Sequence, residues 1–468
     1  MSSSGAAALH RRAVPYRISI GVGSGSLLQP LNSSMIAVAI VTIGTELQIT
    51  AGISWLISAL YLATAVAAPT AGRLADLFGA RRVFLGGLFL VALGGCLGPL
   101  LPNLPGLIVA RVVLGLGTAT QYPAAMGIIR SRARRAKEDA SGALAVLGIC
   151  AQVSVAFGPT LGGFLIAGLG WRSIFWINLP LAAVAAIWVW RATDPDPSAG
   201  TDGNHGSLRD LDVLGLLLFA TSLVLVMLFL ISLTGPPGWW WLVAALPVVV
   251  VLVRWERRKP QPFLDISMLG QNPALLVVLA RQLLVSTAFY AVFYVLPQWL
   301  EGARHHSPVV SGLFILPIAA VGVGCTLIAT RLIQRDHLTA TLLIGNLGLV
   351  LAGVILAVAL GSLTPWWGLL LIAILLGIPN GFNNMANQNE LYAVAGAAVG
   401  AASGLLRTTQ YVGANLAAAM IEVQQRGRID DAGLHRVGWS IAVVSILLLL
   451  VSVVGRRWTR KRTPAAAG

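Results

Sequence analysis

Residues 72–82 read Gly72-Arg-Leu-Ala-Asp-Leu-Phe-Gly-Ala-Arg-Arg82, a charged segment between two long apolar stretches. Those two are among fourteen stretches that are long and apolar enough to cross a bilayer, since about 20 mostly apolar residues span the ~30 Å of hydrocarbon. Backbone groups find no water there, so such stretches must be helices. The sequence therefore predicts an all-α integral membrane protein in which 72–82 is a polar loop.

The composition agrees with that class. Of the 468 residues, 57% are hydrophobic and 10% are charged, whereas soluble domains carry about 25% charged residues. The predicted helices are 18–42, 52–71, 83–101, 105–129, 141–168, 172–190, 211–233, 238–254, 273–298, 309–330, 339–360, 365–386, 396–421 and 437–455.

The net charge of +15 would favour a nucleic-acid partner if the protein were soluble. Most Lys and Arg residues, however, fall in the loops and tails on one side of the predicted helices. This is the positive-inside pattern, which places both termini in the cytoplasm and excludes a nucleic-acid partner. Only three of the 32 basic residues are Lys, as is typical of GC-rich bacterial genomes. We therefore expect a multi-pass protein of a bacterial cell (inner) membrane.

A polar segment rich in turn-forming residues, 191–210, separates six predicted helices from eight. The first two helices after it contain few polar residues and are joined by a tight turn, so we interpret them as a peripheral insert. Removing them leaves six plus six, which fits two parallel repeats. The predicted domains are an N-terminal tail (1–17), a first six-helix bundle (18–190), a linker (191–210), a two-helix insert (211–254), a cytoplasmic loop (255–272), a second six-helix bundle (273–455) and a basic tail (456–468).

Four segments of the first half combine spaced glycine, proline and charged residues, and together they resemble the major facilitator superfamily. The resemblance is to its fourteen-helix drug:proton antiporter branch and covers nearly the whole chain. It implies two six-helix bundles plus a two-helix insert, a small-molecule substrate, protons as coupling ion and a monomer without catalytic site, metal or cofactor. The segments are 72–82, Arg111-Val-Val-Leu-Gly-Leu-Gly-Thr-Ala119, Gly158-Pro-Thr-Leu-Gly-Gly163 and Trp171-Arg-Ser-Ile-Phe-Trp-Ile-Asn-Leu-Pro180.

In the first segment, Gly72 and Gly79 permit a tight turn and close helix approach. Asp76 can form a charge network with Arg81 and Arg82. The resemblance implies that this network holds the cytoplasmic side shut in one conformation. The alternative is a solvated cluster of charges that only sets topology.

The third segment combines a helix-breaking residue with small ones. Pro159 removes a backbone donor and kinks its helix, and Gly158, Gly162 and Gly163 permit close packing against a neighbour. Within the family this motif accompanies export. An ordinary proline kink is the alternative.

The first predicted helix departs from the family pattern. Antiporters of this branch carry an aspartate where this chain has Asn32, and an amide cannot titrate. We expect no acidic residue near the middle of a predicted helix, although embedded proton relays normally need Asp, Glu or His. Glu390 is the remaining candidate for a proton carrier, and a solvated charge at a helix end is its alternative.

Three arginines are embedded in predicted helices: Arg111, Arg281 and Arg407. We expect no carboxylate near them but abundant amides, including Gln121 and Asn384. Such a cavity would favour an anionic or polar substrate. The alternative for each arginine is bonding to backbone carbonyls, and for Arg111 the resemblance adds a role in proton transfer or substrate contact.

Tyr290 and Tyr294 are four residues apart and share a helix face, so they line either the cavity or the lipid. Three other classes of function compete with export: an importer or proton-independent facilitator of the same fold, a membrane enzyme, and a non-transporting sensor. An enzyme would need a cluster of His, Cys or carboxylates near the interface, which the sequence lacks. The intact 72–82 segment argues against a sensor.

Overall fold

The computed structural model describes residues 14–49, 51–136, 138, 141–196, 212–232, 238–259, 270, 272–395, 399–425 and 428–460, and this part of the chain forms sixteen helices. The first eight are α1 (Tyr16–Ser26), α2 (Leu28–Glu46), α3 (Trp55–Phe78), α4 (Ala80–Leu100), α5 (Leu104–Ala136), α6 (Ser141–Leu169), α7 (Ser173–Trp176) and α8 (Asn178–Ala192). The others are α9 (Val213–Ser232), α10 (Trp239–Glu256), α11 (Pro273–Gly302), α12 (Pro308–Gln334), α13 (Leu338–Val358), α14 (Trp366–Ala395), α15 (Val399–Gln425) and α16 (Asp431–Arg460).

Two of the predicted single helices are each divided in two. The helix predicted at 18–42 is interrupted at Leu27, which keeps helical dihedrals (φ −63°, ψ −29°). Pro30, which follows, lacks the N–H that would bond to the carbonyl of Ser26. The pair α1 and α2 nevertheless forms one span of 31 residues, and α7 and α8 form one of 20.

Among the described residues, eleven helical segments are long and apolar enough to cross a membrane. The three other long helices are α3, α6 and α15. The apolar parts of α3 and α6 are shorter, at Trp55–Ala68 and Phe157–Leu169. The protein is therefore a multi-pass membrane protein, and fourteen crossings remain a prediction.

The helix ends define two ends of the molecule. We call the end that carries the turn between α3 and α4, together with residues 193–196, the linker end. The opposite end, with the connection between α2 and α3, is the far end. By the positive-inside prediction, the linker end is cytoplasmic.

The two halves of the chain meet chiefly through four helix pairs: α2 with α11, α2 with α12, α3 with α15, and α6 with α12. The insert helices α9 and α10 pack on each other, and α9 also contacts α3 and α15. At the far end, the backbone N–H of Gly52 donates to Oε1 of Glu422 at 3.3 Å, and Oγ1 of Thr160 donates to the carbonyl of Gly312 at 3.0 Å. The backbones of α6 and α12 are also in contact there, at Gly163 and Gly312, so the far end is closed.

Two predicted boundaries are wrong in ways that affect function. The 72–82 segment is a helical hairpin: residues 72–78 continue α3, and only Gly79 (φ +95°) forms the turn. The helix predicted at 365–386 continues to Ala395. Its last turns are rich in amides, which a hydropathy pattern does not distinguish from a helix end. The predicted linker beyond 196 and the basic tail beyond 460 lie outside the described residues.

Candidate functional site

The hairpin at the linker end is bound to the start of the linker. Both carboxylate oxygens of Asp196 accept from the first turn of α4, from the backbone N–H of Arg81 at 3.1 Å and that of Arg82 at 2.9 Å. A carboxylate is favourable there because a helix N-terminus carries unpaired N–H groups and a partial positive charge. A Cβ at Gly79 would overlap this carboxylate, so Gly79 supplies both the positive φ and the space.

Two neighbouring contacts continue this network. Nη2 of Arg81 donates to the carbonyl of Trp190 at 2.6 Å. Arg132 pairs with Glu138 and with Asp194, each at 3.2 Å. The side chain of Asp76 lies outside the described residues, so its predicted latch stays a prediction, and Gly72 lies on α3 without a close neighbour.

Arg111 is bound to backbone carbonyls inside the first bundle. It is 2% exposed, its Nε donates to the carbonyl of Leu56 at 2.7 Å, and its Nη1 donates to that of Asn32 at 3.0 Å. This is the geometry of the structural alternative. Nη2 has no partner among the described atoms.

The Asn32 side chain forms a reciprocal amide pair with Asn178, a residue that the sequence did not single out as a site. Nδ2 of Asn32 donates to Oδ1 of Asn178 at 2.5 Å, and Nδ2 of Asn178 donates back to Oδ1 of Asn32 at 3.0 Å. Both residues are buried. Asn32, which stands where the family has an aspartate, is thus hydrogen-bonded within the first bundle. Gln121 is also buried there, and its Nε2 donates to the carbonyls of Phe84 and Gly117 at 3.3 and 3.2 Å.

Arg281 has a carboxylate partner, which corrects the expectation from the sequence. It forms an ion pair with Glu390, and the two residues are 2% and 5% exposed. The expectation was wrong because α14 extends past the predicted end and carries Glu390 back into the bundle. Glu390 is therefore not a solvated charge.

Amides continue this polar core. Oε1 of Gln282 accepts from Nδ2 of Asn387 at 3.0 Å. Its Nε2 donates to Oδ1 of Asn384 at 3.1 Å and to Oγ of Ser286 at 3.1 Å. Together with the ion pair, the bonds to Asn384 and Asn387 connect α11 and α14.

Tyrosines from both bundles meet at mid-depth. Tyr294 lies 2.9 Å, hydroxyl to hydroxyl, from Tyr61 and donates to the carbonyl of Ser33 at 3.1 Å. The ring of Tyr61 is 5.4 Å from that of Tyr290 and 5.9 Å from that of Tyr411. Tyr290 and Tyr294 thus contact the first bundle, which excludes the lipid-facing alternative.

Arg407 lies beside this cluster. Its guanidinium is 4.5 Å from the ring centroid of Tyr122, so the side chain reaches from α15 to α5. Tyr61, Tyr122 and Tyr411 were not predicted as site residues. Tyr411 follows Arg407 by one helical turn, which could have indicated it, whereas no local pattern distinguishes Tyr61.

The glycines of the third motif serve two interfaces. Those at 158 and 162 face α2, where a Cβ at Gly162 would be 3.0 Å from Cγ2 of Val38. Gly163 faces the other bundle, where a Cβ would be 2.8 Å from Cα of Val309. Pro159 lies at the same crossing, beside Gly312 of α12.

Comparisons with known proteins agree with this architecture. The chain is 33% identical over 434 residues to an uncharacterized MFS-type transporter, YwoD, of Bacillus subtilis (strain 168), covering 92% of this chain and 95% of the relative. It is 30% identical to the lincomycin resistance protein of Streptomyces lincolnensis over 354 residues, covering 73% and 70%. The fold matches the crystal structure of the POT family transporter PepTSo with a TM-score of 0.64 at 16% identity, covering 96% and 98%. The Major Facilitator Superfamily model matches residues 22–418, and the chain belongs to that superfamily of membrane transporters.

Proposed function

We propose that this transporter exports a small polar or anionic molecule across the cytoplasmic membrane by alternating access. The observation that carries the proposal is the crossing of α6 and α12. The motif that accompanies export in the family lies on the closed interface, where Gly163 and Pro159 of one bundle contact Val309 and Gly312 of the other. The resistance protein among the relatives also supports export.

Alternating access requires an interface that forms and separates. The polar contacts at the far end are few: one hydrogen bond from Thr160 and one from Gly52, beside the close approach of glycines. Neither hydrogen bond pairs two charges. Such an interface can open at modest cost, whereas an extensive ion-pair network would oppose opening.

We further propose that export is coupled to protons and that Glu390 is the proton carrier. Asn32 is paired with Asn178 and cannot carry a proton. Glu390 is buried, ionisable and held by a single charged partner. Protonation would neutralise Glu390 and free Arg281, which gives α11 and α14 a reason to rearrange.

The experiment is substrate flux under two opposite pH gradients. Candidate substrates come from a screen of cells with and without the protein. Inside-out vesicles should accumulate the substrate when a pH gradient, acidic inside, is imposed. Accumulation only under the opposite gradient, acidic outside, would indicate a proton-coupled importer, flux insensitive to the gradient a facilitator, and absence of any flux in a folded protein a sensor.

A further inference from the structure

We propose that Arg407 and the tyrosines around it form a subsite that selects small aromatic carboxylates. The proposal deepens the transport function above and rests on it. It assigns the anion preference to one arginine and adds a requirement for a planar ring.

Arg407 is the embedded arginine left for a substrate. Arg111 is bonded to two backbone carbonyls, and Arg281 is paired with Glu390. Within the described ranges, no carboxylate or carbonyl bonds to Arg407; its neighbours are Tyr122, Tyr290 and Tyr411. An uncompensated charge inside a membrane protein is costly, and a bound anion would offset part of that cost.

The position of Arg407 suits a substrate site. It lies eight residues after the start of α15, about 12 Å from the linker end at 1.5 Å per residue. Arg407, Tyr122 and Tyr290 are half-buried, whereas Tyr61 and Tyr294 behind them are fully buried. The three half-buried side chains thus form a surface, and the two buried, hydrogen-bonded tyrosines lie behind it.

The chemistry of that surface defines its ligand. A guanidinium binds a carboxylate through two parallel hydrogen bonds. Aromatic faces pair favourably with a planar ring, beyond what the burial of apolar area contributes. Lipophilic cations would meet the guanidinium without a compensating carboxylate among the described members of the cluster. Aromatic carboxylates satisfy both features at once.

Stacking on Tyr122 also allows Arg407 a purely mechanical role, in which it joins the bundles. That role predicts that substitutions change the stability of the unliganded protein but not its choice between ligands. The subsite predicts a change in ligand selectivity, so selectivity is the deciding measurement.

The test is equilibrium binding to the purified full-length protein in nanodiscs, with three probes that share one ring system: 1-naphthoate, 1-naphthylmethanol and 1-naphthylmethylammonium. Wild-type protein should bind naphthoate saturably, the alcohol about tenfold more weakly, and the ammonium not detectably. Arg407→Gln should weaken naphthoate binding about tenfold or more, since hydrogen bonds to charged groups contribute about 1.5–3 kcal/mol. Arg331→Gln, at an exposed site on α12, is the control and should leave binding unchanged.

Three results would overturn the subsite: no saturable binding of naphthoate, equal binding of the ammonium probe, or wild-type affinity in a folded Arg407→Gln variant. If that variant does not fold, the order of the three probes on wild-type protein decides. Flux of other compounds without naphthoate binding overturns the subsite alone. Selective naphthoate binding in a protein that moves no compound supports the subsite and overturns the transport proposal.

Discussion

Arg281 and Glu390 form an ion pair across α11 and α14 in the interior of the second bundle, where the two residues are 2% and 5% exposed. Removing one partner of a buried pair leaves the other uncompensated, which is more damaging than never having had the pair. The fold therefore depends on both residues together, and we propose that transport does too.

The first prediction concerns stability. Arg281→Gln should destabilise the protein by about 3–5 kcal/mol, because Glu390 remains buried without its partner. Purified protein in detergent should show a lower Tm. The double substitution Arg281→Gln with Glu390→Gln should recover most of the loss. Equal Tm values for the single variant and the wild type would mean that Glu390 is already neutral.

The second prediction concerns coupling. Glu390→Gln, made together with Arg281→Gln so that no unpaired charge stays buried, removes the carboxylate of this pair, so uphill transport should lose its dependence on an imposed pH gradient while downhill exchange persists. The measurement is accumulation in proteoliposomes with and without the gradient. If the variant keeps the full dependence on pH, Glu390 is not the carrier. If wild-type protein shows none, the protein is not a proton antiporter.

The helices could be predicted because their signal is local. Apolar length predicted the membrane class and most spans, and spaced glycines predicted the family. The pairing of Arg281 could not be predicted in the same way. The amides before Glu390 look like a solvated helix end, yet they bond to Gln282 and to one another, so the helix continues.

Contacts between residues that are far apart in the sequence could not be predicted either, because they leave no local sequence pattern. Asp196 lies 114 positions from Arg82, whose backbone it binds, and Tyr61 lies 233 positions from Tyr294. Only the arrangement of the helices brings these pairs together. The site could thus be predicted as residue types on helices, whereas the partners required the fold.

The third prediction concerns the turn at Gly79. Gly79→Ala combines a strained positive φ with overlap of the Asp196 carboxylate. It should cost about 1–3 kcal/mol, as left-handed backbone does for other residues, and should be seen as a lower Tm and reduced flux. Gly86→Ala, on the same hairpin with open space around its Cβ, is the control and should be neutral.

The fourth prediction concerns the latch. Asp76→Asn should abolish transport while leaving Tm unchanged. The reason is that the expected contacts between Asp76 and its arginine partners are made in the other conformation, which is closed at the linker end. Near-normal flux would show that the charge only sets topology. Asp196→Ala is a useful contrast, since it removes a helix cap that contributes about 0.5–2 kcal/mol and should lower Tm.

The last prediction separates the two interfaces of α6. Gly163→Val would force the side chain against Pro308 and Val309 of the other bundle, so the closed far end should open and transport should stop. Gly162→Val would instead press on Met35 and Val38 within the first bundle and should lower Tm.

The readout for this pair is a cysteine in place of Tyr61, in a background without the native cysteines, labelled by an impermeant maleimide from the far side. Gly163→Val should raise the labelling rate severalfold at an unchanged Tm, and Gly162→Val should lower Tm without that rise. Gly168→Val has no neighbour within 4 Å and should change neither. A closed interface cannot accept an isopropyl group where two backbones are in contact, so Gly163→Val must separate them if this crossing is a gate. Labelling of Gly163→Val at the control rate, with transport intact, would therefore mean that the crossing is not a gate.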